Sequence, residues 1–235
     1  MDAIGGEDGL IAALDASYLT LQQAYSLTYP DEVRKEDEEQ LPLLRRMLSL
    51  ASLLNEITRL KHRGQDAAEL SRLRGRLDTH QDFFQISEFK SFNDRSRIRS
   101  TFLVLCALYN CVEISFSRNL QQDKPRYSAS GFARKVIQLT QQLNELHAAK
   151  FGTSPDTPPP TKLWPLPLVM AAIEVDDTIY RAWAIDRLKA YEKIGGDHYA
   201  YTAKFVEAVC TREDSAATRL DWEPILIEVR DGLVI

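Results

Sequence analysis

The chain has 235 residues, with 44% hydrophobic and 27% charged side chains, the profile of a globular protein large enough to bury a core without disulfides. Its net charge of −5 and pI near 5.5 argue against unaided binding to nucleic acid, which requires a cationic face. Three cysteines in no pairing pattern (Cys106, Cys111, Cys210) imply reduced thiols and an intracellular home, and the acidic, Gly-rich Met1–Asp8 does not read as a signal peptide.

The hydrophobic pattern is helical nearly throughout, and the absence of period-2 alternation predicts no sheet. A first helix is expected from Asp8 or Gly9 to about Tyr29, stopped by Pro30. The acidic run Asp31–Glu39 reads as a mobile loop or a poorly packed helix. Residues 1–39 hold ten acids and two bases, whereas residues 45–76 hold eight bases and three acids, so the two stretches should attract each other. Pro42 suits the first turn of a second helix reaching about Arg63. Gly64 should end it, and Asp66 should cap a third helix reaching about His80.

Asp94–Leu120 reads as a buried central helix. Ile98, Phe102, Leu105, Tyr109, Val112 and Phe116 step by 4, 3, 4, 3 and 4 down one face, and further apolar residues extend around the cylinder. The most apolar window, Phe102–Phe116, contains Asn110 and Glu113 and is too short to span a bilayer, so no membrane association is expected. The next helix should run from Ser128 or Ser130 to Ala149, with Ser128–Gly131 as its capping region. The Pro- and Thr-rich stretch 150–162 is the one clear long loop. Shorter helices follow at about Pro165–Ile173, Thr178–Ile194, Asp197–Arg212 and Ser215–Asp231. The whole is an all-α multi-helix bundle or array of about eight or nine helices around the central one. Residues 1–40 form an N-terminal helix and acidic segment, and residues 41–235 a single-core domain.

The segment "LWPLPLVMAAIEVDDTIYRAW", Leu163–Trp183, concentrates the unusual chemistry. Proline has no N–H and a φ near the helical value, so Pro165 and Pro167 both fit a first helical turn. Asp176 or Asp177 then caps the following helix, with Asp177 spaced to pair with Arg181. Capping likewise explains Glu174–Asp177 better than a cation site does, and Gly195–His198 better than a catalytic loop does. No Gly-x-Ser-x-Gly elbow, phosphate loop or metal-ligand spacing of His62, His80, His147 and His198 appears in the sequence. No catalytic, metal or cofactor-binding residue is therefore assigned, and the chain is read as a non-enzyme.

This same segment resembles the Trp-Pro region in the regulatory domain of fungal binuclear zinc-cluster transcription factors. A second stretch similar to that family is "VCTREDSAATRLDWEPILIEVRDGLVI", Val209–Ile235, with Arg219, Asp221 and Trp222 as its Arg-x-Asp-Trp. The resemblance extends over roughly residues 45–235. The six-cysteine zinc module of the family is absent, so the chain is either a fragment of a longer factor or a protein that kept the regulatory half. The resemblance implies a nuclear, effector-responsive or partner-binding domain in transcriptional control, shuttling or not with the cytoplasm. An apolar effector would lie among Phe102, Tyr109, Phe116, Trp164, Tyr180 and Trp183, unless these are plain core. Leu50, Leu53 and Leu54 form a Leu-x-x-Leu-Leu pattern that can dock a co-regulator as a helix, although core packing explains it too. The apolar tail Leu233–Ile235 or the helix Leu41–Leu60 is a candidate surface for a homodimer, and a ligand-free dimerisation or scaffold module is the alternative reading.

Overall fold

The computed structural model describes residues 7–24, 28, 30–63, 66–85, 96–121, 125–152, 165–193 and 199–231. These contain nine α-helices and no strand: α1 Glu7–Ala24, α2 Asp31–Arg63, α3 Ala67–Gln85, α4 Ser96–Leu120, α5 Ser130–Phe151, α6 Leu166–Glu174, α7 Thr178–Glu192, α8 Thr202–Ala216 and α9 Trp222–Asp231. The expected all-α array is what the chain forms. It divides into two compact units, Met1–Leu108 and Tyr109–Ile235, with the boundary inside α4.

In the N-terminal unit, α2 packs on α1 and α3. Leu43, Leu50, Leu53, Leu54, Ile57 and Leu60 recur at helical spacing and are all buried. The acidic run 31–39 is neither a loop nor poorly anchored. It forms the first turns of α2, because Asp37 meets Arg97 at 2.8 Å and buried Gln40 donates to the Thr101 hydroxyl. Pro42 consequently lies inside α2 rather than in its first turn. It is tolerated there because it faces solvent, where water can satisfy the carbonyl that loses its partner. The acidic and basic stretches do attract each other: Asp15 pairs with Arg45 at 2.9 Å and Glu7 pairs with Arg76. Asp66 caps α3 as expected, accepting from the Ala68 N–H at 3.1 Å. The stop at Gly64 lies outside the described residues.

Every residue of α4 from Ala107 to Arg118 is buried, so this helix has no solvent face over three turns. Its stretch Arg97–Leu120 is long and apolar enough to cross a membrane by length and composition, but 72% of the apolar window is buried within the protein. A core helix passes the same test, so this feature does not indicate a membrane.

In the C-terminal unit the core organises around α6, which contacts α5, α7 and α8. Pro165 precedes its first residue and Pro167 sits in its first turn, as proline geometry dictates, and every residue from Pro167 to Glu174 is buried. Val175 then turns extended, and Asp177 caps α7 by accepting from the Ile179 and Tyr180 N–H groups. Later boundaries differ from expectation. α8 begins at Thr202, and the Glu192 carboxylate at the end of α7 accepts from the Ala203 N–H. α8 continues to Ala216, so α9 starts only at Trp222, after Asp221 accepts from the Glu223 N–H. The expected roles of Gly195 and Asp197, and the tail Leu233–Ile235, fall outside the described residues.

Candidate functional site: a buried arginine–carboxylate network

Arg118 is the one cation in the last turns of α4, and its side chain is only 5% exposed. A guanidinium cannot leave water without partners, and the fold supplies them from three directions. Nη1 donates to Glu174 Oε1 at 2.6 Å, at the last turn of α6. Nη2 donates to Glu213 of α8 and to the Leu220 carbonyl, the latter at 3.0 Å. The flat face of the group lies over the Trp222 indole, 4.2 Å from its centroid, where the ring quadrupole favours a cation.

Arg219 completes the network from the segment before α9. Its Nη2 donates to Glu174 Oε2 at 2.8 Å, and its Nη1 to the Ser117 carbonyl at 3.1 Å. The Glu174 carboxylate is thus shared between two guanidiniums, one on each oxygen. Glu213 in turn accepts from the Leu220 N–H at 3.0 Å, which pins the chain between α8 and α9.

A second layer lies nearer the surface. Arg126 and Arg181 both reach Asp214, at 2.6 and 3.2 Å. Tyr127 lies beneath both guanidiniums, 4.5 Å from Arg126 and 5.5 Å from Arg181, and its hydroxyl donates to Asp214 at 3.1 Å while accepting from Arg181 at 2.8 Å. Burial raises the Tyr127 hydroxyl above the ordinary tyrosine value, although Arg181 pulls the other way. Tyr127 holds φ at +66°, a left-handed conformation rare for an aromatic residue. Asp214 keeps its charge, since contacts from Arg126, Tyr127 and Arg181 outweigh its partial burial and lower its pKa.

The structure corrects several expected local roles. Arg181 pairs with Asp214 rather than with Asp177, because Asp177 is already committed to the α7 cap. Ser130 does not cap α5; its hydroxyl bonds to Asp176, which also takes Arg134 at 2.6 Å. Residue Ala129 occupies the N-cap and offers no side-chain cap.

The six aromatic candidates do not form one group. Phe102 belongs to the N-terminal unit, where it packs on Phe84 with ring centroids 6.1 Å apart. Tyr109 and Phe116 are buried in the C-terminal part of α4, and the Tyr109 hydroxyl donates to Glu113 at 2.8 Å. Tyr180 and Trp183 are partly buried and pack against the α5–α8 core, with Arg187 over the Trp183 ring. Trp164 lies outside the described residues. Leu50, Leu53 and Leu54 are buried in their own unit's core, at 0%, 0% and 7% exposure, so that face is not presented to a partner groove.

Among the described residues no three His, Cys, Asp or Glu side chains gather as a metal would need. Ser49 Oγ lies 3.2 Å from His80 Nε2. The other ring nitrogen of His80 has no hydrogen-bond partner, so nothing orients the ring as a catalytic triad would require. Burial, reinforced by nearby Arg46, lowers the His80 pKa to about 4, which keeps the imidazole neutral.

Sequence reasoning missed Arg118, Arg126, Tyr127, Glu213 and Asp214, and it read Glu174 as part of a capping stretch, whereas its buried carboxylate is held by Arg118 and Arg219. The available signal was charge in the wrong place: an arginine closing an apolar helix and a glutamate ending "LPLVMAAIE". No family model, curated protein or solved structure matches the chain.

Proposed function

We propose that this chain is the transcriptional regulatory domain of a factor of the fungal zinc-cluster type, nuclear in location and not itself DNA-binding. The observation that carries this reading is the Arg219–Glu174 contact at 2.8 Å. It joins the two stretches on which the resemblance rests, the Trp-Pro segment and the Arg-x-Asp-Trp segment. Trp222 of the second stretch also covers Arg118, so the motif residues serve one buried network rather than scattered helices. The all-helical array agrees with that family's expected fold.

In this reading an effector or co-regulator binds one arrangement of the C-terminal helices better than another and shifts its population. A network of paired charges suits such a task, because its partners are discrete and half-broken states are costly. The test is to tether the full chain to an unrelated DNA-binding module in a fungal reporter strain. Reporter output that changes with growth condition, and loses that change in Glu174→Gln, supports the reading. Output equal to the bare module under every condition overturns it.

The alternative, a ligand-free dimerisation or scaffold module, draws on a separate observation. Leu226 and Ile227 of α9 are adjacent and 52% and 47% exposed. Native mass spectrometry separates the two: a small-molecule adduct favours the sensor, and a bare dimer favours the scaffold.

A further inference from the structure

We propose that the turn at Ser128 is a docking place for a phosphate group, gripped by Arg219 at the start of α5. The inference goes beyond the regulatory reading and does not depend on it.

Ser128 is exposed, so a group attached to or resting on its hydroxyl has room. Beneath it lies Arg219, whose side chain is nine-tenths buried. Its Nη2 reaches Ser128 Oγ at 3.1 Å, and the Ser117 hydroxyl meets the same oxygen at 3.1 Å. Arg219 Nε, which shares an edge of the guanidinium with Nη2, is buried and has no hydrogen-bond partner. An unused donor on that edge is what a second acceptor oxygen needs, since phosphate takes the guanidinium fork with two oxygens. The same turn leads into α5, a helix of 22 residues whose N-terminus has no side-chain cap. The dipole there favours an anion, and the Asp176 carboxylate already rests at that helix start on Ser130 and Arg134.

The wider charge balance agrees. The linked cluster holds four guanidiniums (Arg118, Arg126, Arg181, Arg219) against three carboxylates (Glu174, Glu213, Asp214), leaving one positive charge in excess. Arg219 has only a shared claim on Glu174, whose other oxygen is held by Arg118. A phosphate at Ser128 would compete with Glu174 for Nη2, and so act directly on the contact that joins the end of α6 to the segment before α9.

The phosphate has two chemical sources. In the covalent route a protein kinase directs Ser128 Oγ onto the γ-phosphorus of MgATP; the O–P bond forms, ADP leaves and the hydroxyl proton is released. In the other route inorganic phosphate or a phosphorylated metabolite rests on the same donors.

Two arms on the full chain test the proposal. In the first, phosphoserine is installed at position 128 and titrated by phosphorus NMR. A phosphate held by Arg219 loses its second proton at least one pH unit below the ordinary value of about 6. In the second, inorganic phosphate is titrated against wild type at constant ionic strength. A saturable rise in Tm, about 3 °C at ten times the Kd, marks the free-anion route. Either result supports the site and identifies the source, and Arg219→Lys, which keeps the charge but loses the fork, should abolish it. An effect of equal size in Arg219→Lys overturns the assignment. Should that variant fail to fold, the titrations on the unmutated background decide: an unshifted phosphoserine together with no phosphate-specific rise in Tm overturns the proposal.

Discussion

Glu174 shows how much one buried side chain can hold. Each of its oxygens faces a different arginine, and each of those arginines holds a further element through a backbone carbonyl. Replacing it with alanine leaves Arg118 and Arg219 short of a counter-charge inside the protein. We expect Glu174→Ala to lower unfolding stability by about 3–5 kcal/mol, read as a shift in the urea midpoint. Breaking an exposed pair of similar length, such as Arg212–Glu228 at 2.6 Å, should leave the same midpoint almost unmoved, because solvent screens it. His80 gives a second residue-level expectation. Its pKa is about 4 in the folded chain against 6.5 for an ordinary imidazole, so the unfolded chain binds a proton that the folded chain refuses. That contribution to stability is complete above pH 6.5 and is lost as pH falls toward 4. Urea midpoints measured between pH 7 and pH 4.5 should therefore fall less steeply in His80→Gln than in wild type.

At the scale of the helix, α2 and α7 make separable claims. Pro42 lies well inside α2, where its ring removes one backbone hydrogen bond. Pro42→Ala should stabilise the N-terminal unit, by up to about 3 kcal/mol if the helix is unkinked in both forms. Were the helix to begin near Leu41, proline would sit in its first turn and the substitution would change little, so calorimetry distinguishes the two. The α7 cap is a simpler case. Asp177 accepts two N–H groups that otherwise have no intrahelical partner, and Asp177→Ala should cost about 1 kcal/mol in chemical denaturation. Neighbouring Asp176 makes no such bond to α7 and instead ties α5 through Ser130 and Arg134. Two adjacent identical residues thus have different work, which spacing along the chain could not distinguish.

For the molecule as a whole, charge sets the clearest expectation. A net charge of −5, with Arg72, Arg76, Arg118 and Arg219 committed to carboxylates, argues against the counterion release that nucleic-acid binding needs. The purified chain should show no retention of duplex DNA at physiological salt in a gel-shift titration. Tight, salt-sensitive retention would contradict both the charge argument and the proposed role.

The sequence by itself determined the helical character, most helix positions, the proline start of α6, the cap at Asp66 and that one of Asp176 and Asp177 caps α7. These follow from 3.6-residue periodicity, from the missing N–H of proline and from short side chains that reach nearby N–H groups, all of them local effects. It also made the buried face of α2 legible, since leucines at helical spacing have few destinations. Only the tertiary structure decided where the charges go. Arg118, Glu174, Glu213 and Arg219 are separated by up to 101 positions along the chain, and no periodicity links them. Their pairing depends on α4, α6 and α8 presenting single polar groups to one another within an apolar core, where each can be satisfied only by the rest. The same reason explains the acidic start of α2: with only its own sequence it repels itself, and Arg97 from another helix makes it a helix worth forming.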